Sequence, residues 1–230
     1  MPTGAGKSVC YQIPAMLLPG VTVVVSPLIS LMQDQVDALN DAGIPALFVN
    51  GTQTPDQQDR VLSMAANGQV KLLYVAPERL ETQRFRNFAS RTPISMVAVD
   101  EAHCVSQWGQ DFRSSYLGIG EFIAGLPARP IVAAFTATAT ERVRRDIIGI
   151  LGLMNPQITV TGFDRTNLYF DILKLDTKEK AAWIARYVAD HAAAPGIVSC
   201  ATPPETANLT PPLNHPQHLH PGPPVAAGPV

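Results

Sequence analysis

The sequence predicts an α/β protein: a parallel sheet with helices packed on both faces. Three observations carry that expectation. Short apolar runs alternate with helical stretches along most of the 230-residue chain. Each run is apolar at successive positions, as a strand covered on both faces must be. Polar, Gly- or Pro-containing punctuation comes after the runs, and in a parallel sheet such loops collect along the carboxyl edge where ligands bind.

The elements run in order. Residues 8–18 suit a helix. Residues 21–26 (VTVVVS) read as a buried strand, and residues 28–42 as a helix ended by Gly43. Residues 45–50 form the next strand, and 54–68 a helix with Asp56 near its start. Residues 71–76 (KLLYVA) are a strand and 78–90 a helix. Residues 94–100 (ISMVAVD) are a strand ending in acid; 130–136 (PIVAAFT) are a strand and 140–151 a helix. The punctuation at Ser26-Pro27, Asn50-Gly51, Pro77-Glu78, Asp100-Glu101 and Thr136-Ala137-Thr138 is expected to line one edge. Residues 203–230 break the pattern, with nine prolines and one charged residue, Glu205. Proline removes donors and blocks helix interiors, so an irregular, disordered tail is expected.

Composition narrows the function classes. The apolar fraction of 46% supports a core, and a net charge of −2 predicts no general affinity for polyanions. Any nucleic-acid binding must come from local patches. Cys10, Cys104 and Cys200 lie far apart with no paired spacing, which reads as reduced thiols in a cytosolic protein rather than a disulfide framework or a zinc site. His215, His218 and His220 lie in the Pro-rich tail without acidic or thiol companions, so no zinc is expected. No leader pattern opens the chain, and no apolar stretch is long enough to span a membrane.

Residues 1–8, Met-Pro-Thr-Gly-Ala-Gly-Lys-Ser, read as a phosphate-binding loop of the Gly-x-Gly-Lys-Ser type. Met1 stands where the eight-residue pattern has its first glycine. Gly4 and Gly6 permit a tight turn that aims backbone N–H groups at phosphate oxygens. Lys7 would reach the outer phosphates and Ser8 would hold Mg²⁺. Feeding this loop into a helix puts the positive end of the helix dipole at the phosphate.

Asp100-Glu101-Ala102-His103 closes an apolar strand about 90 residues after Lys7. A strand-end Asp is the usual partner of the loop Ser for Mg²⁺, and the next carboxylate, Glu101, stands where it can polarise an attacking water. A lone Asp-Glu after a strand is more often a solvated turn; the pairing with the phosphate loop reverses that preference. Thr136 and Thr138 come after the next strand, where their hydroxyls either sense the strand-end acids or merely cap the next helix. Between the two motifs, Ser106-Gln107-Trp108-Gly109-Gln110-Asp111-Phe112-Arg113 crowds aromatics and an arginine into a polar loop. Aromatic faces stack on bases and Arg binds phosphate. The alternative is that Trp108 and Phe112 plug the loop into the core. Arg84, Arg86 and Arg91, and likewise Arg142, Arg144 and Arg145, read as solvated basic faces.

In this order the motifs resemble the core of the RecQ family, superfamily 2 ATP-dependent DNA helicases that move 3′ to 5′. The similarity runs from Met1 to about Thr202, through MPTGAGKS with CYQIPA, VVVSPLISLMQDQV, LLYVAPERL, DEAHCVSQWGQDFR, FTATAT and FDRTNL. The acid motif joined to SQWGQDFR is the most discriminating, because RNA helicases with the same four-letter acid motif lack that loop.

The resemblance implies a RecA-like sheet of the P-loop NTPase type over residues 1–160, without its first strand. It implies the start of a second RecA-like domain over 161–202, and the tail over 203–230. It implies ATP and Mg²⁺ as cofactors, with Thr3, Gly4, Ala5, Gly6, Lys7 and Ser8 around the phosphates. Ser8 and Asp100 place the metal, and Glu101 activates water. His103, Thr136 and Thr138 couple the nucleotide to DNA. Ser106, Gln107, Trp108, Phe112 and Arg113 form the aromatic-rich loop, and Ser26, Pro27, Asn50 and Gly51 touch the DNA backbone. Single-stranded and forked duplex DNA is the implied partner, in a cytoplasm or nucleoid and away from membranes. The family usually has His where Gln110 stands, and Pro where Ser114 and Thr166 stand. Residues 196–202 resemble the strand that opens the second domain, but Pro203-Pro204 interrupts the helical stretch the family has next, and the later arginine finger has no counterpart. The expectation is therefore a partial helicase core with little DNA-stimulated ATPase. The alternatives are an inactive fragment that binds nucleotide or DNA weakly, and an RNA helicase fragment.

Overall fold

The computed structural model describes residues 6–160, 168–191 and 193–200. Two compact units divide the chain, Met1–Asp164 and Arg165–Val230.

The first unit is a parallel sheet of β1 (Val21–Val25), β2 (Ala46–Val49), β3 (Leu72–Val75), β4 (Ile94–Val99) and β5 (Ile131–Ala134). Their order is β2-β3-β1-β4-β5, and every neighbouring pair runs parallel. Parallel neighbours need a crossover between them, and helices supply it: α1 (Val9–Leu17) before β1, α2 (Ile29–Asp41), α3 (Pro55–Ala66), α4 (Gln83–Ala89), α5 (Gly118–Ala124) and, after β5, α6 (Glu141–Ile150).

Alternation along each strand explains the two layers of helices. Val21, Val23, Val25, Leu73, Val97 and Val99 pack in one cluster with Leu62 of α3, Phe85 of α4, Ile119 and Ile123 of α5, and Val143 and Ile147 of α6. Val24, Leu72, Tyr74, Met96 and Ala98 face the other way, onto Tyr11 and Ala15 of α1 and Met32, Val36 and Leu39 of α2. Central β1 is buried at every position. Edge strand β5 is not: Ile131 is 56% exposed, because among the described residues β5 pairs with β4 alone.

The register holds the strand ends level. Val25 lies opposite Val75 and Val99, Val75 opposite Val49, and Val99 opposite Ala134. The next residues along each strand, Ser26, Asn50, Ala76, Asp100 and Phe135, therefore emerge along one edge.

Four local departures have physical causes. Residues 78–90 are not one helix. A 3-10 turn, Pro77–Arg79, gives way to a break at which Thr82 Oγ1 accepts from Phe85 N–H at 3.4 Å and restarts the chain as α4. The sequence reading missed α5, whose glycines lower helix propensity; burial of Ile119, Phe122 and Ile123 stabilises it instead. The second unit contains α7 (Thr177–Asp190), also unexpected. At its start Glu179 N–H donates to Asp176 Oδ1 at 2.8 Å, and Asp176 N–H donates to Glu179 Oε2 at 2.9 Å. Residues 195–200, within the stretch expected to open a second sheet, carry no strand, since a parallel strand exists only by pairing with a neighbour. Residues 201–230 lie outside the described residues, as do Thr3, Gly4, Ala5 and Thr166.

Candidate nucleotide and nucleic-acid site

Gly6 begins the described part of the phosphate loop with φ +74°, a left-handed conformation that glycine adopts without steric cost. Its carbonyl accepts from Val9 N–H at 3.1 Å, and that of Lys7 from Cys10 N–H at 3.1 Å, so the loop runs straight into α1. Ser8 is the N-cap of α1, and its side chain makes no capping bond.

The acids stand at the end of β4. Asp100 N–H donates to Val25 C=O at 2.9 Å, which ties the position to the neighbouring strand. Asp100 is 7% exposed, and burial raises its carboxyl above its ordinary value. The Tyr116 hydroxyl, itself buried, donates to Asp100 C=O at 3.1 Å. Glu101 occupies the left-handed region at φ 45°, ψ 45°. That conformation is costly for a residue with a side chain. It turns the Glu101 carboxylate toward Lys7 Nζ, 4.0 Å away, and His103 Nδ1, 3.3 Å away. The hydrogen bond from His103, aided by the Lys7 charge, holds this carboxyl below its ordinary value against the opposing effect of burial. Two adjacent carboxyls are thus pushed apart: one toward its neutral form, one toward its charged form.

From there a line of polar contacts leads away. His103 Nδ1 meets Thr136 Oγ1 at 2.9 Å. Thr136 Oγ1 donates to Thr138 C=O at 3.0 Å and accepts from Thr138 N–H at 3.2 Å. Thr138 Oγ1 lies 3.5 Å from Gln110 Oε1 in the aromatic loop. Ala102 N–H donates to Phe135 C=O at 2.8 Å, so backbone as well as side chains join the ends of β4 and β5.

The aromatic loop faces outward. Trp108 is 61% and Phe112 38% exposed, so neither plugs the loop into the core. Gln107 is also exposed. What anchors the loop is Ser106, buried, which donates to Asp146 Oδ2 of α6 at 2.5 Å and accepts from Trp108 N–H at 3.1 Å. Arg113 donates to Asp111 Oδ2 through Nε at 3.0 Å and Nη2 at 2.8 Å, and to Pro27 C=O at 3.0 Å. That last bond joins the loop to the segment after β1. A cleft of about 270 Å³ lies between them, with Pro27, Glu101, His103, Gln110, Asp111 and Thr138 in its wall.

The residues expected at a DNA backbone are placed unevenly. Ser26 is buried, and its hydroxyl has no partner among the described residues. Asn50 is buried and commits Oδ1 to Thr52, accepting from its N–H at 2.9 Å and its hydroxyl at 2.7 Å. Gly51 is exposed and Pro27 half-buried. Sequence reasoning missed Tyr116, Asp146 and Arg142 as parts of this edge, and placed Gln110 in the loop without giving it a role. Arg142 reads from sequence as part of a solvated face, yet its guanidinium carbon lies 3.6 Å from the Trp108 ring centroid. The signal was present: Arg142 and Asp146 are four apart and share one face of α6.

The chain matches the DEAD/DEAH box helicase family over residues 1–147. It is 46% identical over 202 residues to the ATP-dependent DNA helicase RecQ of Bacillus subtilis (strain 168), covering 88% of this chain and 34% of that one. It is 44% identical over 201 residues to the ATP-dependent DNA helicase RecQ of Pasteurella multocida (strain Pm70), covering 87% of this chain and 31% of that one. The chain thus spans about a third of the length of the curated relatives it matches. Among solved structures it resembles a hypothetical ATP-dependent RNA helicase from Sulfolobus tokodaii, with a TM-score of 0.53 at 23% identity over 68% of this chain and 45% of that one. That likeness shows the fold alone, a RecA-like parallel sheet with flanking helices.

Proposed function

The chain belongs to the DEAD/DEAH box helicases and, within them, to the RecQ family, and from that premise we propose that it binds ATP and DNA as part of an ATP-dependent, 3′-to-5′ DNA helicase. The observation that carries this proposal is the line of polar contacts from Lys7 through Glu101, His103, Thr136 and the backbone of Thr138, whose hydroxyl reaches Gln110, no contact longer than 4.0 Å. It joins the phosphate loop to an exposed aromatic loop, as coupling of nucleotide to nucleic acid requires.

The roles come from the geometry and the family. Thr3 to Lys7 cradle the phosphates, with Lys7 neutralising their charge. Ser8 and Asp100 would hold Mg²⁺, which supplies charge neutralisation at the phosphates when bound. The residues fit such an ion: Asp100 is a buried carboxyl whose charged form lacks water. Glu101, kept charged, orients the attacking water. His103, Thr136 and Thr138 transmit the state of that site, and Gln107, Trp108, Phe112 and Arg113 contact single-stranded DNA from a loop that the buried Ser106 anchors rather than presents. Pro27 and Gly51 offer backbone to the strand's phosphates, beside the buried Ser26 and Asn50. We assign residues 161–202 to the start of a second RecA-like domain, as the family resemblance implies; residues 203–230 lie outside the described residues, and the setting is the cytoplasm or nucleoid where DNA lies.

The test is nucleotide binding by the full chain. With Mg²⁺ and a fluorescent ATP analogue, Lys7→Ala is expected to weaken binding about ten- to a hundredfold, the worth of one charge-assisted contact. Oligo-dT is expected to change the parent's nucleotide affinity. Binding indifferent to both Lys7→Ala and DNA would refute the assignment.

A further inference from the structure

We propose that Arg142 is a replaceable partner of Trp108, covering the ring's exposed face until a base of single-stranded DNA takes its place. This rests on the assignment of the aromatic loop to DNA contact. Arg142 lies on the exposed side of α6, near its start, with its guanidinium carbon 3.6 Å from the Trp108 centroid. Among the described residues no carboxylate pairs with it, so the ring is its recorded partner. A planar guanidinium and a nucleobase use the same flat face of an indole, so they exclude one another.

The surroundings suit an exchange. The loop's root is fixed by Ser106 on Asp146, one residue before the Gln107–Trp108 step. Among the described residues the ring itself is held by nothing as strong: it is 61% exposed and touches a long, unbranched side chain. Beside it opens a cleft of about 370 Å³, walled by Trp108, Gly109, Gln110, Thr138, Glu141 and Arg144. That volume lies at the lower end of ordinary small-ligand pockets and has room for one base. Gln110 and Thr138 line both this cleft and the one beside Glu101, so a base seated here would press on the residues that lead to the acids. An exposed cation–π contact is weaker than base–aromatic stacking, so a base wins the ring while Arg142 still weakens its binding.

The experiment compares oligo-dT with an abasic strand of equal length on the full chain. The ratio of the two affinities isolates the base contribution, and the phosphate contribution, including any lost with the Arg142 charge, cancels. Arg142→Ala, too short to reach the ring, is expected to raise that ratio about two- to fivefold, the worth of one exposed cation–π contact. Trp108→Ala is expected to lower it. In a Trp183→Phe background, where Trp108 is the remaining tryptophan, Arg142→Ala is expected to increase acrylamide quenching without DNA. Ala is the best helix former and the site is exposed, so the fold of α6 is retained. A ratio unchanged or lowered by Arg142→Ala, with Trp108→Ala still lowering it, overturns the exchange and leaves the DNA assignment standing. A parent that shows no preference for bases overturns both.

Discussion

His103 Nδ1 lies 2.9 Å from Thr136 Oγ1, and the same nitrogen lies 3.3 Å from Glu101 Oε2. The Glu101 carboxylate only accepts. Thr136 directs its one hydroxyl hydrogen to Thr138 C=O, so its oxygen accepts from the ring as well. Nδ1 therefore carries a proton shared between the two, and His103 ties the end of β4 to the end of β5 by donating both ways.

Removing the acceptor at Thr136 isolates that contribution. Thr136→Val keeps the shape and loses the oxygen that serves His103 and Thr138. The expected result is a loss of about 1 kcal/mol in urea unfolding, unchanged affinity for a fluorescent ATP analogue, and loss of the response of that affinity to oligo-dT.

Glu101 makes stability depend on pH with a definite sign. Its folded carboxyl titrates below the ordinary value of 4.5. Its contribution is therefore present above pH 4.5 and lost as pH falls through the lower folded value. The urea midpoint of Glu101→Gln should fall below the parent's near pH 7, and the gap should close as the pH falls below 4.5 and through the lower folded value. In turnover assays of any assembly that hydrolyses ATP, the same variant should cost about 10²–10⁴ in rate.

The thiols should separate cleanly. Cys104 is buried, and desolvation pushes its thiol up to about 11, whereas Cys10 is exposed beside the phosphate loop. A chromogenic disulfide at about pH 8 should label Cys10 in the native protein and reach Cys104 only after denaturant is added. Rapid native labelling of Cys104 would contradict the packing of the turn after Glu101.

Gly109 fits where no side chain does. A Cβ there would stand 2.3 Å from His103 C=O. Gly109→Ala must push the aromatic loop off the turn that carries His103, at about 1–3 kcal/mol. A thermal melt reads the loss, and the oligo-dT response of nucleotide affinity should fall with it.

What the chain disclosed before folding tracks the strength of its signals. The five strands were legible because fully buried strands are continuous apolar runs, and the lining of one edge resulted from their being parallel. The meeting of Lys7 with the acid pair was legible because those residue types are set by chemistry rather than packing. The restart at Thr82 was not, since Thr reads equally as helix or turn until a free N–H stands above it. α5 was hidden by its glycines, whereas α7 had a readable start in Asp176 and Glu179, which cap each other's N–H groups. The outward pose of Trp108 depends on Ser106 reaching Asp146, forty residues on, and no local pattern reports a contact of that range.

The level register of the strands has a consequence for sequence length. Side chains alternate along a strand, so dropping one residue inside β1, β3 or β4 would turn every side chain beyond it toward the opposite helix layer and retract its loop from the shared edge. The same deletion in the turns at the amino ends, such as Gly43 or Gly68, leaves both intact. A codon-by-codon deletion scan should trace the chain as a barcode, with intolerant bars at the strands and pale gaps at one end of the sheet only.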